Sequence, residues 1–171
     1  MNKAITDFIA KDVLERFCRY VQVYTTSDPA SSTIPSTARQ LDLLRLLEQE
    51  LRIFGLEQIS IDQNSFLYAT LPANTQGGEA FGLLAHVDTS PDQLGENVKP
   101  RLIERWDGSS ISFSDDSSLR LDSKLSPELG KFVGDTIITA SGRTLLGADD
   151  KAGVAEIMSA LATFKKFPEL A

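Results

Sequence analysis

Apolar residues recur along this chain in two rhythms, one helical and one extended. Val13, Leu14, Phe17 and Val21 fall at i, i+1, i+4 and i+8, the stripe of an amphipathic helix over about residues 10–24. A polar stretch rich in Ser, Thr and Pro follows, and Thr37-Ala-Arg-Gln40 has the spacing of a capping box. Leu41, Leu44, Leu47, Leu51 and Phe54 then predict a second helix, closed by Gly55. Beyond Gly55 the period changes. Ile59 and Ile61 alternate with polar residues, Gln63-Asn64 suits a turn, and residues 66–71 are aromatic and aliphatic, a β-hairpin pattern. Ala80-Phe-Gly-Leu-Leu-Ala85 is almost continuously apolar, which predicts a strand buried on both faces, ending in His86-Val-Asp88. Short strands are expected at residues 102–106, 111–113, 135–139 and 144–146, with a polar loop over 115–124. A third helix follows, with Val154, Ile157, Leu161 and Phe164 inward and Pro168 as its stop. The alternation predicts an α/β fold, a mixed β-sheet with flanking helices, in one domain spanning residues 1–171.

Composition narrows the function. With 42% hydrophobic and 24% charged residues, the chain is globular rather than disordered. Lys and Arg number 17 against 24 Asp and Glu, a net charge of −7, so neither a nucleic-acid surface nor a polybasic membrane anchor is expected. No targeting segment and no membrane-length apolar run are visible, so the expected address is cytoplasmic. The lone Cys18 excludes an intrachain disulfide and a Cys-rich zinc site. His86 is the one histidine, so any triad or metal site within the chain uses His86 or no histidine.

Two segments could carry chemistry. In extended backbone His86 and Asp88 share a face, at the end of the predicted strand where open sheets place ligands. The imidazole suits a metal, and the carboxylate suits a hydrogen bond to the ring. A lone His is more commonly a plain surface or core residue. Gly147-Ala-Asp149-Asp150-Lys151-Ala-Gly153 puts two carboxylates at a strand-to-helix junction. The plain alternative makes Asp150 a helix cap and Lys151 a solvated charge. The small flanking residues suit close backbone approach and equally a tight turn. No Gly-x-Ser-x-Gly elbow, phosphate-cradling loop or dinucleotide fingerprint occurs. Asp115-Asp116 reads as a solvated loop, Cys18 as packing, and Trp106 and the nine Phe as core.

Taken together, Ala85-His86-Val-Asp88-Thr-Ser-Pro-Asp92 and Thr144-Leu-Leu-Gly-Ala-Asp149-Asp150-Lys-Ala-Gly153 resemble the metal-ligand segments of the peptidase T family. These are tripeptide aminopeptidases of the zinc-dependent aminoacylase/carboxypeptidase clan. Ile34-Pro-Ser-Thr37, Ala69-Thr-Leu-Pro-Ala-Asn74, Gly134-Asp-Thr-Ile-Ile138 and Ala155-Glu-Ile-Met158 extend the likeness colinearly. The resemblance implies His86 as ligand of one zinc, Asp149 as the carboxylate bridging two zincs, and Asp88 as the catalytic-site acid supporting the histidine. It also implies a cis peptide bond after Asp149 and metal-assisted hydrolysis of tripeptides, with a glutamate as general base. The family's Glu-Glu pair, later Asp and His ligands and lid domain would all fall beyond residue 171. The resemblance thus covers the N-terminal part of a catalytic domain, for which only weak zinc binding and no catalysis are expected. An uncovered sheet edge then invites self-association. A truncated interaction module and a dipeptidase or deacylase of the same clan are the competing expectations.

Overall fold

The computed structural model describes residues 2–170. Helix α1 spans Lys3–Tyr20, longer at its start than the apolar stripe predicts. Asn2 caps it, its side-chain oxygen accepting from the Ala4 amide at 3.0 Å. Helix α2, Gln40–Phe54, ends as predicted: Gly55 takes φ 74°, a left-handed conformation glycine adopts without a Cβ clash. The predicted capping box does not form. Thr37 Oγ1 instead donates to the more distant Thr26 carbonyl at 2.8 Å, and Gln40 Nε2 turns to Ser36 Oγ at 3.0 Å.

The hairpin is present as β1, Glu57–Ile61, paired antiparallel with β2, Leu67–Thr70. Asp62 makes its turn by accepting from the Asn64 and Phe66 amides, each at 2.9 Å. Strand β3, Arg101–Ile103, pairs antiparallel with β6, Ile137–Thr139; β4, Ile111–Ser112, pairs with β5, Arg120–Leu121. The short β5 lies inside the segment expected to be loop. A 3-10 turn covers Pro127–Phe132. Helix α3 spans Ala148–Lys166 and stops just before Pro168.

Helices and strands are thus mixed as expected, but one mixed sheet is not formed. Among the described residues there are three two-stranded antiparallel sheets. The reason lies at residues 80–85. This run, expected as a buried central strand, has no ladder partner among the described residues, and Phe81 is 81% exposed. An apolar pattern prepares a strand for burial, but pairing requires a neighbouring backbone to complete its hydrogen bonds. Residues 144–146 likewise form no strand, with one backbone bond from Leu145 to Leu94.

The core lies between the helices. Phe17, Tyr20 and Val21 of the α1 end pack with Leu43, Leu47 and Leu51 of α2 and Val154, Ala155 and Met158 of α3. Full burial of a residue such as Leu43 contributes about 1.5–3 kcal/mol. The buried stripe of α3 differs from the predicted one. It runs through Val154, Ala155, Met158 and Ala162, while Phe164 is exposed, because α1 takes the small-residue side and permits close approach. Phe66, Phe81 and Phe132 are also exposed, so the phenylalanines are not uniformly core, whereas Trp106 is buried and donates to the Ser109 carbonyl. Cys18 packs against the core as expected.

A charged cluster clamps α1 to α2. Glu50 accepts from Arg16 and from the Tyr20 hydroxyl at 2.6 Å, and Arg19 pairs with it at 2.5 Å. Asp12 holds the other side of the Arg16 guanidinium at 2.6 Å. Burial, reinforced by the Glu50 carboxylate, pushes the Tyr20 hydroxyl up to about 12.

Candidate metal centre

His86 follows the unpaired run, in extended backbone. Its Nδ1 lies 3.1 Å from Asp88 Oδ1 and 3.0 Å from the Asp88 carbonyl. Both neighbours are acceptors, so Nδ1 carries the proton and donates. This fixes the ring and leaves Nε2 to face the partner on its other side. The His-x-Asp spacing therefore produces the contact that the extended backbone predicts.

Nε2 faces Asp149 Oδ1 at 3.0 Å, across a sequence separation of 63 residues. Asp149 sits ahead of the regular part of α3. Gly147 at φ 81° turns the chain, the Asp149–Asp150 peptide is cis, and Asp149 and Asp150 are both non-helical. The side chain of Asp149 is 95% exposed and that of His86 52%, so both reach solvent. Burial lowers the affinity of His86 for its proton, but the Asp88 charge and the Asp149 hydrogen bond outweigh it and raise the pKa above 6.5.

Asp150 is not the helix cap of the plain alternative. Its Oδ2 accepts from the His86 amide at 3.4 Å, a second link between the two segments. The carboxylate folds back over Gly153, where an added Cβ would stand 2.4 Å from Oδ1. The small residue there serves close approach. Lys151 is not solvated either. It is 1% exposed, and Nζ donates to the Val23 carbonyl at 2.6 Å. Burial pushes its pKa down to about 8. The sequence reading missed Lys151 and Thr89 as parts of the arrangement; the signal available for Lys151 was its place beside the small residues Ala152 and Gly153.

The site is thus a convergence of His86 and Asp149, with Asp88 behind the imidazole. A neutral imidazole nitrogen and a carboxylate oxygen are both acceptors. At 3.0 Å they need a proton or a cation between them. Imidazole with carboxylate is also a donor set that suits zinc. Among the described residues no group of three or more His, Cys, Asp or Glu side chains converges on one point.

No family model matches the chain. It is 48% identical to "Peptidase T" of Geobacillus thermodenitrificans over 161 residues, 94% of this chain and 39% of that protein. It is 51% identical to "Peptidase T" of Desulfitobacterium hafniense over 159 residues, 92% of this chain and 38% of that protein. With "Peptidase T" of Clostridium acetobutylicum it shares 47% over 161 residues, 94% of this chain and 40% of that protein. The chain spans about two-fifths of the length of these curated relatives.

Proposed function

We propose, from the premise that this chain is a close relative of the N-terminal part of peptidase T, that residues 1–171 are one partial domain of a dizinc aminopeptidase acting on tripeptides. The observation that carries this reading is the meeting of His86 Nε2 and Asp149 Oδ1 at 3.0 Å from segments 63 residues apart. Both lie in the segments that resemble the family's ligand motifs. His86 and Asp149 would hold zinc, and Asp88 keeps the imidazole in the tautomer that frees Nε2. Bound zinc supplies Lewis acidity toward a scissile carbonyl and toward water. Exposure of both ligands leaves room for a peptide to approach.

A catalytic zinc usually takes three protein ligands. Two are present here, so the isolated chain binds zinc weakly and does not hydrolyse tripeptides. No helix among the described residues is long and apolar enough to cross a membrane. The proposed compartment is the cytoplasm, and neither nucleic acid nor membrane is a partner in this reading.

Calorimetric titration of the chelator-stripped chain with zinc at neutral pH tests the half-site. Weak binding of at most one ion per chain is expected. Tight binding of two ions would overturn it. In the same titration Asp88→Ala should weaken affinity by roughly 10–100-fold, the usual loss for a group that orients a ligand. Complete loss of binding would reassign Asp88 as a ligand.

Self-association through residues 80–85 belongs to the same reading. Phe81, Leu83 and Leu84 are exposed on backbone with no ladder partner among the described residues. Phe81→Asp combined with Leu84→Asp should shift sedimentation toward the monomer and leave the unfolding midpoint unchanged. Unaltered sedimentation would dismiss this edge as the contact.

A further inference from the structure

We propose that residues 23–27, in the connection between α1 and α2, form a positioning strap that sets the separation of His86 and Asp149, with Lys151 as its anchor. The strap touches both halves of the site. On the His86 side, the Thr89 amide donates to the Thr25 carbonyl at 3.3 Å and the Ser27 amide donates to the Thr89 carbonyl at 3.0 Å, a parallel bridge. Ser27 Oγ donates to the same carbonyl at 3.1 Å, and the Thr26 and Thr89 hydroxyls lie 3.2 Å apart. Thr89 is three residues from His86. On the Asp149 side, Lys151 Nζ donates to the Val23 carbonyl at 2.6 Å. Thr37 ties the strap to the start of α2 through the Thr26 carbonyl.

Burial separates this set from the site it supports. Thr25, Thr26, Thr89 and Lys151 are all buried, whereas His86 and Asp149 are exposed. A single exposed contact between two flexible segments contributes little against the entropy of ordering them. A buried set of bonds, shielded from water, holds its geometry. Packing confirms the tightness. A Cβ on Gly95 would stand 2.4 Å from Thr26 Oγ1, and one on Gly147 would stand 3.3 Å from Thr89 Cγ2. Thr89 therefore lies directly against the turn that presents Asp149. Among the described residues neither segment is held by a sheet, so the strap does the positioning that a strand ladder would otherwise do.

The inference rests on His86 and Asp149 forming one site, but its test needs no metal. His86 is the single histidine, so its imidazole nitrogens give unambiguous signals in 15N spectra of the labelled chain. Asp149→Ala supplies the reference for a lost contact. At one fixed pH, Lys151→Met should move the Nε2 resonance most of the way to that reference, while the amide signals of the β1–β2 hairpin stay in place. An Nε2 resonance at its original position in folded Lys151→Met would overturn the strap. If Lys151→Met does not fold, Thr26→Val decides, since it keeps the backbone bonds and removes one hydroxyl. Thr26→Val should shift Nε2 and Thr26→Ser should not; identical spectra for the two overturn the proposal. Zinc titration separates the two ideas: zinc affinity retained in His86→Ala would end the metal reading, and an Nε2 shift in Lys151→Met would still support the strap.

Discussion

His86→Ala is expected to reduce zinc affinity by more than about 100-fold, beyond the 10–100-fold that losing a ligand's hydrogen-bond partner costs. No other imidazole or thiolate can take its place. The chain has no second histidine, and Cys18 packs against the core on α1. Removal also leaves the Asp88 and Asp149 carboxylates without the group that bridges them. On the proposed function, the same change in a chain extended to the full length of the peptidase T relatives should abolish tripeptide hydrolysis. The fold should survive, because a half-exposed side chain outside the core typically changes stability by less than about 0.5 kcal/mol. Calorimetry for zinc and urea unfolding for stability are the measurements. Retained zinc affinity would end the assignment of His86 as a ligand.

Glu50→Ala should destabilise the chain by about 3 kcal/mol, the scale for removing one partner of a buried ion pair. Glu50 is the common acceptor for Arg16, Arg19 and the Tyr20 hydroxyl. Without it the Arg16 guanidinium stays buried with Asp12 as its remaining carboxylate, and Tyr20 keeps a 3.3 Å contact from Arg16. Glu50→Gln retains a hydrogen-bond acceptor and loses the charge, so it should cost about half as much. Because α1 and α2 flank residues 23–27, Glu50→Ala should also disturb the His86 resonances at urea concentrations below the main transition. A urea midpoint unchanged by Glu50→Ala would show that the clamp contributes nothing to the fold.

Much of the local structure was legible. The leucine stripe and Gly55 predicted the body and the end of α2, since both signals act inside one helix. The hairpin and its turn were legible for the same reason: period-two alternation and the polar Gln63-Asn64 pair need no distant partner. His86-x-Asp88 was legible because extended backbone alone puts the two side chains on one face. Misreadings fell where a distant group entered. Thr37 carries a capping pattern but bonds Thr26. Lys151 looks like surface charge but reaches Val23 through the interior. The run at 80–85 has the composition of a central strand, and composition does not provide a neighbouring backbone.

The sequence by itself determined the two chemistry-bearing segments, the single histidine in the first of them and the likeness to peptidase T. These follow from residue identity and near-neighbour spacing, which a chain carries before it folds. Tertiary structure alone decided that Asp149 stands 3.0 Å from Nε2 rather than elsewhere on the surface. It also decided that Asp150 reaches the His86 amide and that buried threonines and Lys151 fix both segments to residues 23–27. Contacts across 63 residues depend on how the helices pack and which backbone groups remain to be satisfied inside, and no local pattern encodes that sum.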